Sequence, residues 1–137
     1  MNKKIISISI TLVALVILLG FGLFIMQKSK APTIAENCFV SSSKNITINY
    51  TEAQTFSPAC VKITSGAKIT WVNQSPKKLE VGADPHPIHT GNKELSNGLF
   101  DLEITSGQRS EVTMTKLGTF GYHDHAHAAA SGVVVVQ

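Results

Sequence analysis

The sequence predicts an all-β sandwich preceded by one transmembrane helix, and three observations predict it. From residue 46 to the end, short apolar runs alternate with Gly, Pro, Asn and Ser, and no stretch keeps a helical period. Seven such runs fall within about 90 residues, a strand density that argues for two packed sheets. Residues 5–26 (IISISITLVALVILLGFGLFIM) carry no charge over 22 positions. A helix of that length, rising roughly 1.5 Å per residue, crosses a hydrocarbon core of about 30 Å.

Taken in order, residues 1–30 read as a membrane anchor. The apolar stretch exceeds the roughly 7–15 residues of a secretory signal, and QKSK follows it where a small-residue cleavage site would stand, so an uncleaved anchor is expected. Lys3 and Lys4 precede the stretch while Lys28 and Lys30 follow it. With the N-terminal amine this is a slight positive-inside bias, which puts the C-terminal domain on the extracytoplasmic side of the cell membrane as a single-pass protein. Residues 31–45 read as a linker and N-terminal extension, and residues 46–137 as the domain. Its expected strands are 46–50, 60–63, 69–73, 79–81, 111–114, 119–124 and 132–136, with Ser-Gly turns at 65–66 and 106–107. The intervening stretch 82–97 is rich in turn residues and long for a connection, and such loops commonly carry function.

Charge excludes one class of partner. The chain carries +3 overall, but four of its twelve basic residues flank the apolar segment; from Ala31 onward eight basic residues face nine acidic ones. No basic stripe remains, so no nucleic-acid partner is expected. The two cysteines, Cys38 and Cys60, lie 22 positions apart and belong to no metal-binding cluster. In an extracytoplasmic compartment a disulfide between them is expected. In ACVKI, strand alternation turns Val61 and Ile63 to the core and Cys60 away from it, towards the N-terminal segment.

All five histidines fall in two short groups, His86 and His89 in DPHPIHT, and His123, His125 and His127 in YHDHAH. If the second group continues a strand, alternate residues place its three imidazoles on one face about 6.5–7 Å apart, close enough for neighbours to share an ion. The first group adds two imidazoles from a loop stiffened by Pro85 and Pro87, which lowers the ordering cost of binding. Imidazole suits copper, zinc, nickel and iron, and affinity of a nitrogen site peaks at copper(II). A surface or acid-sensing role is the alternative. The ligand candidates are therefore His86, His89, His123 and His125, with Asp124 and His127 beside them. Asp124 and Asp84 each could be a ligand, an acceptor that orients an imidazole or a solvated charge, and for Asp84, ahead of a proline, the turn role is the expected one.

Residues 56–136 resemble a cupredoxin. FSPACVKITSGAKITWVN is similar to the family's opening of F-x-P, a Gly turn and W-x-N, and LGTFGYHDHAHAAASGVVVV to its closing strand pair around a ligand loop. The resemblance implies a Greek-key β-sandwich with copper as the cofactor at one end of the barrel. It also marks departures: Asp124 stands where the blue-copper cysteine would be, Ala130 where the methionine would be, Leu79 where the first histidine would be, and the second histidine is His127. Without a thiolate the intense blue colour should be absent. DPHPIHT with YHDH resembles a subgroup of small bacterial cupredoxin-like proteins, which implies that both histidine groups build the site. YHDHA is similar to a segment of multicopper oxidases, where the two flanking histidines serve a trinuclear cluster built between domains.

The functional expectation is a membrane-anchored copper-binding protein with a non-blue, histidine-rich site that sequesters copper, hands it to a partner protein or cycles it in redox. The enzymatic alternative is a copper oxidase or a superoxide-dismuting protein, which an all-nitrogen site with an open position would suit. Trp71, Phe120 and Tyr122 are assigned to the core.

Overall fold

Alternation of apolar and polar residues builds the first full strand. In NITINY, Ile46, Ile48 and Tyr50 turn inward and Asn45, Thr47 and Asn49 outward, giving β2 (Asn45–Tyr50). The same rule produces β4 (Cys60–Ile63), β5 (Ala67–Asn73), β6 (Leu79–Ala83), β8 (Arg109–Met114) and β9 (Gly118–Asp124). All of these contain strands expected from the sequence. The computed structural model describes residues 37–137. The apolar segment at 5–26 lies outside the described residues, and among those described no helix is long and apolar enough to cross a membrane.

Three strands and one turn of helix were not expected. β1 (Phe39–Val40) pairs in parallel with β4, Phe39 opposite Val61, and the Cys38–Cys60 disulfide staples this pair at its start. The sheet therefore begins within the stretch read as linker. β3 (Phe56–Ser57) pairs with β2, β7 (Asp101–Ile104) pairs with β6, and a 3-10 helix spans Lys93–Ser96 inside the expected loop. These pieces are two to four residues long, too short for periodicity to mark them. β10 (His127–Val136) begins five residues earlier than expected: His127 pairs with Asp124 and, after a register shift, Ser131 pairs with His123.

The strands form a six-stranded sheet in the order β1-β4-β10-β9-β6-β7 and a four-stranded sheet in the order β3-β2-β5-β8. Between them Tyr50, Phe56, Trp71 and Tyr122 pack ring to ring, with Phe56 4.9 Å from Tyr122 and Trp71 4.8 Å from Tyr122. Trp71 and Tyr122 are fully buried, as expected, while Phe120 is partly buried against the same core. The indole N–H of Trp71 donates to the Leu95 carbonyl at 3.2 Å, which fastens the 3-10 helix to the four-stranded sheet. Gly66 and Gly107 take φ of +84° and +75° in the two Ser-Gly turns, a conformation that favours glycine.

Candidate metal centre

Gly82 of β6 is the Cα partner of both His123 on β9 and Asp101 on β7. Directly paired residues share a face, and Leu79, Val81 and Ala83 occupy the core side of β6. The row His123, Gly82, Asp101 therefore lies on the outer face of the six-stranded sheet.

Glycine at 82 leaves a gap in that row, and the His89 ring fills it. A Cβ at 82 would overlap the ring. The imidazole lies between its neighbours, with Nε2 2.9 Å from Nε2 of His123 and Nδ1 2.7 Å from Asp101 Oδ1. Phe100 stacks over it at a centroid distance of 4.4 Å. His89 holds φ at +47°, a left-handed conformation that costs a non-glycine residue about 1–2 kcal/mol and is retained where the surroundings enforce it. Its N–H bonds the Pro85 carbonyl at 2.9 Å, closing the loop back over the sheet. Gly121, two residues before His123 on the same face, makes room for the Asp84 carboxylate.

Asp84 does more than turn the chain. Its Oδ1 lies 2.6 Å from His123 Nδ1, so it orients that imidazole as well as opening the loop, which adds one of the roles the sequence left open to the turn role expected of it. His89 Nδ1 lies 3.1 Å from the Phe100 carbonyl oxygen, besides its approach to Asp101. Both Nδ1 atoms thus face acceptors and carry the proton, which leaves a lone pair on each Nε2. The two Nε2 atoms lie 2.9 Å apart, near enough for both to serve one ion. His86 Nδ1 comes within 3.2 Å of His123 Nε2, and His125 Nδ1 within 3.1 Å of His89 Nε2. All four nitrogens lie within 4.8 Å of one another. Metal–imidazole bonds of roughly 2.0–2.1 Å place neighbouring donors about 2.9 Å apart at a right angle and about 3.3 Å apart at the tetrahedral angle. The three separations of 2.9, 3.1 and 3.2 Å match that edge length. The two carboxylates, Asp84 and Asp101, would balance the charge of a divalent ion at that point.

The rings differ in exposure. His89 and His123 are buried, His125 is about one-third exposed, and His86 is open to solvent. The His86 imidazole is held below its ordinary range, first by loss of hydration and then by the neighbouring imidazoles, which keeps it neutral and able to donate its lone pair. The His125 backbone N–H donates to the Glu80 carbonyl at 2.7 Å, continuing the β6–β9 pairing one step beyond the strand. Glu80, Asp101 and His125 form a second, overlapping group. There Glu80 Oε1 is already engaged by Lys78 Nζ at 2.6 Å, whereas Asp101 Oδ1 is buried with no hydrogen bond among the described residues.

Two ligand candidates stand outside this group. The strand stops at Asp124, a turn occupies 125–126, and His127 opens β10 opposite Asp124. The expectation that His123, His125 and His127 share one face is corrected: the turn reverses the chain before His127. His127 is exposed and lines a polar pocket of about 320 Å³ with Gln54 and Lys78. Asp124 points to the interior, where Oδ2 accepts the Tyr50 hydroxyl at 2.6 Å and Oδ1 accepts the Glu80 N–H at 3.1 Å. Burial raises the Tyr50 phenol above its ordinary range, and the Asp124 hydrogen bond and charge add to it. Leu79 and Ala130, at the family's other ligand positions, are buried and apolar. Sequence reasoning missed Gly82, Gly121, Phe100 and Asp101. A glycine inside a strand run beside a histidine pair signals close approach and was legible; the distance from Asp101 to His89 was not.

The copper binding proteins of the plastocyanin/azurin family match this chain over residues 40–137. Among solved structures, a purple cupredoxin from Nitrosopumilus maritimus aligns at 21% identity with a TM-score of 0.53, over 66% of this chain and 98% of its own. A mutant amicyanin in the Cu(I) state aligns at 21% identity with a TM-score of 0.52, over 71% and 86%. A mutant fern plastocyanin aligns at 14% identity with a TM-score of 0.54, over 67% and 100%. At these identities the likeness concerns the fold. No curated protein matches the sequence.

Proposed function

This chain belongs to the plastocyanin/azurin family of copper binding proteins and its cofactor is copper, and we propose that it handles copper outside the cytoplasm, tethered to the cell membrane by residues 5–26. In this reading His86, His89, His123 and His125 hold one ion on the outer face of the six-stranded sheet. One observation carries it: one ring nitrogen from each of four histidines lies within 4.8 Å of the others, while Nδ1 of His89 and of His123 face oxygen acceptors outside the group. Bound copper supplies a one-electron redox centre, and the chain's own groups do the rest. Asp84 fixes the His123 tautomer, Phe100 excludes water from His89, and the solvent-facing His86 is the ligand nearest to an incoming partner. The partner is a redox or copper-transfer protein. No thiolate is at hand, because Cys38 and Cys60 are joined to each other.

The exposure of His86 also favours a second reading, a copper oxidase or superoxide-dismuting enzyme, since displacing that ring would open a coordination position. Elemental analysis and paramagnetic resonance of the purified full chain test the first reading. One equivalent of copper, nitrogen hyperfine from imidazoles and no intense absorption near about 600 nm are expected; an intense blue protein would refute it. Azide that binds the copper(II) form without displacing a ring favours the enzyme. Recovery of the chain in the soluble fraction after gentle lysis would refute the tether.

A further inference from the structure

Asp124 lies between His123 and His125 in the chain, yet strand alternation turns its carboxylate to the opposite face of β9. There it is 2% exposed and accepts the Tyr50 O–H at 2.6 Å, a short, charge-assisted hydrogen bond. Tyr50 is fully buried at one end of a ring sequence that runs through Phe56 to Trp71 and Tyr122. The chain has two tyrosines, and they differ in one respect. The Tyr122 hydroxyl donates to the Ala59 backbone carbonyl at 3.3 Å, whereas the Tyr50 hydroxyl meets a carboxylate. A phenol that loses an electron becomes a strong acid. In an apolar core that loss is feasible only where a base within hydrogen-bond distance keeps the proton. A carboxylate does so and a backbone carbonyl does not.

We propose that Tyr50 and Asp124 form a one-electron donor pair for the four-histidine site, which spares the imidazoles when hydrogen peroxide reacts with bound copper(I). The inference rests on the copper reading above. Copper(I) gives one electron to the peroxide, the O–O bond breaks, and hydroxide and a hydroxyl-level oxidant result. The Tyr50 O–H bond then breaks: its electron reduces that oxidant to a second hydroxide, and its proton passes to Asp124 Oδ2. A neutral phenoxyl radical remains, hydrogen-bonded to a neutral carboxylic acid. The electron route is short, because one peptide unit separates the His123 ligand from Asp124 and one hydrogen bond separates Asp124 from Tyr50.

The full chain, loaded with one equivalent of copper(I) and mixed with hydrogen peroxide, is freeze-quenched for paramagnetic resonance and digested for mass spectrometry. A tyrosyl radical is expected in the wild type and in Tyr122→Phe, and its loss in Tyr50→Phe, where oxidation of the site histidines rises instead. Tyr50→Phe keeps the ring, so copper stoichiometry and nitrogen hyperfine stay unchanged. Asp124→Asn, which keeps an acceptor but not the base, should also lose the radical; if that variant does not fold, Tyr50→Phe decides alone. A radical that persists in Tyr50→Phe, or copper bound at one equivalent with no tyrosyl signal, overturns the proposal. Failure of the histidines to bind copper overturns the copper reading itself and this inference with it.

Discussion

The two faces of β9 carry opposite chemistries within three residues. On the outer face His123 turns its imidazole towards a loop, flanked by glycines that make room for other polar groups. On the inner face Tyr122 and Asp124 turn towards the second sheet, where one packs in an aromatic cluster and the other accepts a phenol hydroxyl. On the outer face ring nitrogens of four histidines crowd one another, whereas on the inner face every polar atom of Asp124 already has a donor from outside its kind. Both are polar and both are buried, yet one set is complete without a ligand and the other is not. That difference, rather than residue type, separates a binding group from a structural one.

The largest effect should come from deleting one group on each side of the reversal at 125–126. His123→Ala removes a donor braced by Asp84, and copper affinity should fall at least about 100-fold, roughly 2.7 kcal/mol. His127→Ala should stay within about twofold, as expected of an exposed group outside the four rings. Competition titration against a copper chelator measures both; equal losses would place His127 in the site and erase the contrast.

Gly82→Ala tests the outer face without replacing a ligand. The added methyl meets the His89 ring, so the ring must leave its slot, and affinity should fall about 10- to 100-fold while the inner face keeps its packing. Near-ultraviolet circular dichroism of the aromatic cluster should hardly change; a collapse of that signal would show that the two faces are not independent.

Asp84→Asn removes the charge that orients His123 but keeps an oxygen in place. A loss of about tenfold in copper affinity is expected, at the lower end for groups that brace a ligand. Unchanged affinity in the same titration would return Asp84 to a turn role alone.

The smallest effect concerns the fastening of the histidine loop. Burial would raise the Glu94 carboxyl, but hydrogen bonds from the Thr115 side chain and from the Lys116 and Thr115 backbone, with Asn92, pull it down to about 2 from an ordinary 4.5. A folded-state pKa below the unfolded one stabilises the fold above pH 4.5, and that contribution is lost as pH falls from 4.5 through about 2. Glu94→Gln should flatten this part of the stability curve in thermal melts between those values, with copper affinity at neutral pH little changed. A parallel acid loss in the variant would assign the acid sensitivity to other carboxylates.

Much of this molecule is written locally. Alternation in NITINY and AKITWVN dictates strands with one apolar face, because a period of two admits one burial pattern for each. The spacing of His123 and His125 and the grouping of all five histidines single out the chemistry, since clustered imidazoles have few other uses. The Cys38–Cys60 pairing is the one that two cysteines allow. The short strands β1, β3 and β7 carry too few residues for any period, and only their partners' backbone groups make them strands.

Which histidines act together is decided in three dimensions. His89 reaches His123 because Gly82 on one strand pairs with His123 on another, a register that no stretch of sequence contains. Asp101 enters the site through the same register from a third strand. Asp124 leaves it because Tyr50, 74 positions earlier, offers a hydroxyl on the opposite face. Sequence sets which face of a strand a side chain takes relative to its neighbours, since backbone geometry is local. What stands across that face depends on contacts between distant segments, and their free energy decides whether a polar group has a partner or awaits one.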